Sequence, residues 1–186
     1  MHWRIPTPWR TPRREWAHRW RVVEAVVLVT LAAGAQRWIP MPRWSKILGT
    51  PVAVPDSWRG RSIEILPTRW ASPEELGAAR AVRGAARVVP WTPRCLAEAT
   101  AGQVLLRRAG HPGVVVIGLK PTDSGSWDAH AWLLGAHGAL TGGRAAAGFT
   151  ATTAFEVPGG QLAAEIDLEE RATPSPSAGT DTATRH

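Results

Sequence analysis

Residues 90–120 read PWTPRCLAEATAGQVLLRRAGHPGVVVIGLK. Thr92 can cap a helix and Pro93 fits its first turn, so a helix starts here with Cys95 inside that turn. Arg107 and Arg108 suit the negative end of the helix dipole, and Gly110 can terminate it. Val114–Leu119 is a continuous β-branched run, the pattern of a buried strand. Downstream, PTDSGSW is turn-rich, Asp128–Leu134 forms a second strand, and residues 135–138 (GAHG) form a tight turn. Ala139–Thr141 begins a third strand that Gly142 and Gly143 break. Strands joined by short loops favour an antiparallel meander. The expected fold is therefore α+β, a central helix packed on a small antiparallel sheet.

Upstream, Ser72-Pro73-Glu74-Glu75 is a helix start: Ser72 caps, Pro73 takes the first position, and Glu75 completes a capping box. Leu76, Ala79, Val82, Ala86 and Val89 give this helix its buried face. Arg80, Arg83 and Arg87 form a separate stripe, read as a solvated face, with docking of an acidic peptide as the sharper alternative. Residues 50–62 read as loop, Ser62–Leu66 as a short strand, and Trp44–Leu48 as a short helix ending at Gly49. Residues 14–37 read as a long helix stopped by Pro40 and Pro42, with Trp16, Trp20, Val23, Val27 and Leu31 on one face. The division that results is a basic, Trp-rich arm and helix start (1–21), an N-terminal helical region (22–60), a core (61–157) and a disordered tail (158–186).

The chain has 186 residues, enough for one domain with appendages that hides roughly 70% of its unfolded surface. Its single cysteine rules out an internal disulfide framework and a thiolate zinc cluster. The net charge is +7, and residues 1–21 carry six arginines against Glu15 alone, with four of the eleven tryptophans. A basic start followed by the apolar run Val22–Ala35 mimics a signal peptide. The basic region is too long for one, and the run falls short of the ~20 residues of a membrane span. The preferred reading is a helix packed in the core behind a basic arm, in a cytoplasmic protein; contact of that arm with a membrane surface also fits Trp and Arg. Nucleic acid is not expected, because the arginines do not gather in a recognition element. No histidine pair has metal-binding spacing and no phosphate-binding loop is present, so neither a metal nor another cofactor is expected.

Cys95 and His130 are the candidate chemistry. A thiol attacks as thiolate, and the first turn of a helix offers unpaired N–H groups and the positive end of a dipole to that anion. The same N–H groups can bind a developing oxyanion. His130, on a strand beyond the hairpin, is the candidate base. The plain alternative is a small buried cysteine and a histidine that is merely hydrogen-bonded. A helix-borne cysteine with a downstream strand-borne histidine is the papain/transglutaminase arrangement.

Residues 90–120, together with DAHAWLLGAHGAL at 128–140, resemble the lasso-peptide biosynthesis B2 proteins. These are transglutaminase-like cysteine proteases that remove the leader from a ribosomally made precursor. The matching features are Pro90-Trp91, Cys95-Leu96, Leu105–Gly110, Val116–Gly118, and Ala129–Trp132 with Gly138; residues 20–49 look like the family's N-terminal helices. The resemblance implies a papain/transglutaminase-like core with extra N-terminal helices, Cys95 as nucleophile and His130 as base. It implies as partners the precursor leader, a separate B1-type leader-recognition protein and the lasso cyclase, because residues 1–60 do not read as a fused recognition domain.

One departure concerns the third catalytic group. The family carries an acid about twelve residues past the histidine; here that position is Gly142, and no carboxylate lies between His130 and Glu156. Asp128, on the same strand face as His130, is the tentative orienting carboxylate, with Thr141 or a backbone carbonyl as the alternatives. Two rival functions stay open: a transglutaminase-like acyltransferase or amidase, and a non-catalytic scaffold binding a partner or membrane. Gln103 reads as packing or a local hydrogen bond, and His111 and His137 as exposed.

Overall fold

A computed structural model describes residues 12–40, 43, 45–55, 58, 71–92, 94–136, 138–158 and 160–165. Residues 1–11 of the expected arm, the strand at 62–66, His137 and residues 166–186 of the expected tail lie outside the described residues. Helix α1 spans Pro12–Trp38 and α2 spans Pro73–Val88; α3 spans Cys95–Arg108. The strands are β1 (Thr50–Val52), β2 (Val114–Pro121), β3 (Trp127–Gly135), β4 (Gly138–Thr141) and β5 (Thr150–Glu156). A 3₁₀ turn at Ser45–Ile47 precedes β1, and another at Gly143–Ala145 follows β4.

All pairings are antiparallel, in the order β1-β5-β2-β3-β4. The expected meander is β2–β3–β4. The chain then crosses back, and β5 pairs with the far side of β2, with β1 beyond it at the edge. Residues 50–52 are thus an edge strand, not loop; Pro51, which has no N–H to give a ladder, is tolerated at an edge. The region 22–60 therefore contributes to the sheet as well as supplying helix.

Both faces of the sheet are covered. Val115, Ala131, Leu133, Leu140 and Phe155 face the helices. Val114, Val116, Trp132, Leu134 and Ala154 face the other way, against Val54, Trp58, Leu162 and Ala163. Burial on both faces explains why β2 reads as an unbroken apolar run rather than an alternation. Leu162 and Ala163 belong to a helical turn at 162–165, so packed structure extends past the expected boundary at 157.

α2 starts as expected. Ser72 Oγ accepts from Glu75 N–H at 3.1 Å, and Glu75 Oε2 accepts from Ser72 N–H at 2.7 Å. The other oxygen of the buried Glu75 accepts from Ala136 N–H at 2.8 Å, so one carboxylate fixes the helix start to the β3–β4 turn. α3 lies close on β3 because Gly102 has no side chain: a Cβ there would meet Leu133 Cδ2 at 2.6 Å. Gln103 Nε2 donates to the carbonyls of Leu48 (3.1 Å) and Gly113 (2.8 Å), a structural role whose partners flank β1 and β2.

α1 reverses one expectation. The periodic set Trp16, Trp20, Val23, Val27 and Leu31 is exposed, and the packed face is Ala25, Val29 and Ala32. Small residues win that side because the helix crosses α2 closely at Val22 and Gly84, where a Cβ would stand 3.1 Å from a valine methyl. Among the described residues, no helix is long and apolar enough to cross a membrane.

Candidate active site

Cys95 is the first residue of α3. Arg94, not Thr92, is the N-cap, extended at φ −74° and ψ 144°, and its side chain makes no capping bond. An arginine side chain has donors only, so it cannot satisfy the amides of the first turn. Arg94 O accepts from Ala97 and Glu98 N–H at 2.8 and 3.2 Å. Among the described residues nothing accepts from the amides of Cys95 and Leu96. α2 closes its first turn with a side-chain capping box; α3 has no side-chain cap, and its first two amides stand open beside a sulfur. Placing an acceptor there is a direct test: Arg94→Ser is expected to add about 0.5–1 kcal/mol of stability in thermal melts while reducing any Cys95-dependent turnover several-fold.

The thiol, half-buried, reaches the sheet where β4 has ended. β4 stops with Thr141 opposite Leu133, and two residues back along β3 the Ala131 N–H donates to Cys95 Sγ at 3.4 Å. This N–H belongs to the peptide unit that joins His130 to Ala131. The His130 ring projects on the Trp132 side of the strand. It stacks on Trp132 (6.1 Å between centroids, 21° between planes) and tilts against Phe149 (5.3 Å, 43°). The Trp132 ring in turn lies over Gly118, the residue paired with His130 on β2, where a Cβ would come within 2.8 Å of it.

The Nε2 of His130 lies 2.8 Å from the carbonyl oxygen of Gly142. With its N–H at Nε2 the ring donates to that carbonyl, which leaves Nδ1 as the basic nitrogen. The group the structure places at the imidazole is the backbone carbonyl of Gly142. Asp128 is exposed at the outer end of β3, opposite Lys120 across the ladder, and no hydrogen bond joins it to His130. Gly142 has φ +70°, and a Cβ there would meet Ala131 O at 2.5 Å and Trp132 Cα at 3.1 Å. The left-handed turn aims the carbonyl at His130, and only glycine fits it without strain. Thr141, the other alternative, is buried without a hydrogen bond to His130.

Cys95 Sγ thus meets the peptide unit between His130 and Ala131 from the helix side of the sheet, the His130 ring lies on the Trp132 side, and no hydrogen bond joins sulfur and imidazole. The sequence reading did not single out the Ala131 N–H, the Phe149 ring or Glu98. Glu98 is legible in hindsight, since it follows Cys95 by three residues and so stands beside it on the helix surface. Burial holds its carboxyl above the usual carboxylate range. The folded chain then binds more protons than the unfolded one through that window, so stability falls as pH rises across it. Glu98→Gln is expected to flatten the Tm-against-pH curve from the ordinary carboxylate value upward and to raise Tm at neutral pH; an unchanged slope would show that the carboxyl is not strained by burial. Of the remaining histidines, His111 is half-buried, not exposed, with Nε2 3.8 Å from Glu74. Among the described residues no three His, Cys, Asp or Glu side chains are grouped to hold a metal ion.

A helix that opens on a cysteine and packs against an antiparallel sheet carrying a histidine defines a transglutaminase-like core with added helices. The family model described as the transglutaminase-like superfamily matches residues 56–154, just over half of the chain, and the chain belongs to that superfamily. Neither a curated protein nor a solved structure matches it significantly.

Proposed function

We propose that this protein is a cysteine endopeptidase of the lasso-peptide B2 type, cutting leader from core in a precursor. The observation that carries the reading is Cys95 Sγ at an uncapped helix start, hydrogen-bonded by the amide next to His130. Superfamily membership and the order of motifs around Cys95 and His130 support it.

In this reading His130 Nδ1 takes the thiol proton, and the open N–H groups of α3 and Ala131 stabilise the thiolate. The sulfur attacks the scissile carbonyl, and the oxyanion forms beside the free amides of the first turn. Collapse of the intermediate breaks the C–N bond; the imidazolium gives its proton to the leaving amine, so the core peptide departs with a free amino terminus. The leader stays on Cys95 as a thioester. Water, deprotonated by His130, attacks that thioester, releasing the leader as a carboxylic acid and restoring the thiol. The Gly142 carbonyl holds the ring through both halves. A B1-type recognition protein and the cyclase are the partners the reading requires, the first to raise the local concentration of the precursor.

The test is incubation of the chain with a lasso precursor and its recognition protein, followed by product masses. Two fragments whose masses sum to precursor plus one water are expected. A leader fragment carrying an added amine in place of water would move the assignment to acyl transfer.

A further inference from the structure

The outer face of α1 carries a stripe that none of the described residues covers. Trp16, Trp20, Val23, Val27, Leu31 and Trp38 follow at helical spacing, each between 51% and 82% exposed. At 1.5 Å per residue the stripe is about 33 Å long. Thr30 and Gly34 complete it, and the threonine hydroxyl is already satisfied by Val26 O at 2.8 Å. Among the described residues no charged side chain interrupts it. Exposed Arg19 and Arg37 flank its two ends, each folded over a tryptophan, with Cζ 5.5 Å from the Trp16 ring and 5.6 Å from the Trp38 ring. Glu24, the acidic side chain of α1 that the structure describes, is turned away to Arg108 at 2.5 Å.

An apolar patch of this length on an otherwise packed molecule marks an interaction surface. Charge decides its occupant. Antiparallel pairing with a second copy about Val27 sets the Arg19 end of one helix against the Arg37 end of the other. Parallel pairing sets like against like, and among the described residues no carboxylate on the stripe answers either arrangement. Tryptophans near the ends, aliphatics between them and arginines at the flanks make up the pattern of a helix lying in a membrane interface. There the rings sit at headgroup depth and the guanidiniums reach phosphate. The charge upstream has the same sign: residues 1–21 hold six arginines against one glutamate. A basic segment adjoining an amphipathic helix strengthens its attraction to anionic lipid.

We propose that the outer face of α1 binds the surface of an anionic lipid bilayer, with the apolar stripe entering the interface and Arg19 and Arg37 at the lipid phosphates. The proposal stands independently of the proteolytic reading, since none of its residues belongs to the Cys95–His130 site.

The test is co-sedimentation of the full chain with vesicles of phosphatidylcholine alone and of phosphatidylcholine mixed with phosphatidylglycerol. Binding is expected to the mixed vesicles and to weaken with salt. The double variant Val27→Asp/Leu31→Asp is expected to bind at least about tenfold more weakly, with a circular-dichroism melt like that of the parent because both sites are exposed. Arg19→Gln/Arg37→Gln is expected to reduce the preference for phosphatidylglycerol. Absence of binding to the mixed vesicles overturns the proposal. So does undiminished binding of Val27→Asp/Leu31→Asp, which would assign the attraction to charge alone. A dimer in light scattering that the same variant dissolves, without vesicle binding, would give the face to a second copy.

Discussion

Cys95→Ala is expected to leave the lasso precursor intact, with turnover reduced by about 10⁴-fold or more, while the protein folds as before. The substitution removes one half-buried sulfur at a helix start, a position where alanine is a good helix former. The lost packing is small, and the Ala131 N–H at the open edge of β3 can turn to water. The chemical loss is total, because no other thiol exists in the chain to form the acyl intermediate. Product masses measured beside a thermal melt separate the two effects. If Cys95→Ala cleaves at the parental rate, the cysteine endopeptidase reading is wrong and the chain is a scaffold with a family fold.

The second large effect is expected at His130. His130→Ala is expected to lower kcat by about 10²–10⁴-fold with a smaller change in KM, since the proposed mechanism uses the ring to move protons and not to bind leader. Cys95 keeps its place in this variant, because its contact is the backbone N–H of Ala131 and not the imidazole. Alkylation of Cys95 by a small electrophile gives an independent readout: slower labelling in His130→Ala at neutral pH is the signature of a lost base. Equal labelling and equal turnover would return His130 to a packing role between Trp132 and Phe149.

What could be read from the sequence was local. The Ser72–Glu75 box, the helix opening at Cys95 and the hairpin from Val114 to Leu134 rest on residues a few positions apart, where propensity and capping chemistry act directly. What could not be read depends on distant partners. The periodic set on α1 marks a face but not which side of the helix packs; that was decided by Val22 meeting Gly84. β5 is Thr/Ala-rich and becomes a strand only by pairing with β2 across a crossover. The partner of the imidazole was legible only as a choice between Asp128, Thr141 and an unspecified backbone carbonyl. Asp128 drew attention because it has a carboxylate, whereas Gly142 meets the ring through a carbonyl that every residue possesses. Its only trace was a glycine standing where the family has an acid.

β4 ends early, and that has a meaning beyond catalysis. An unpaired strand edge offers its amides to any other chain, which makes it a seed for edge-to-edge aggregation. Here the exposed stretch of β3 is taken in part by the sulfur of Cys95 and the start of α3. The proposed nucleophile thus also works as a plug. Variants that draw α3 back from the sheet would uncover a sticky edge at the same time as they disable the site, so solubility and activity are expected to fall together along this one line of contact.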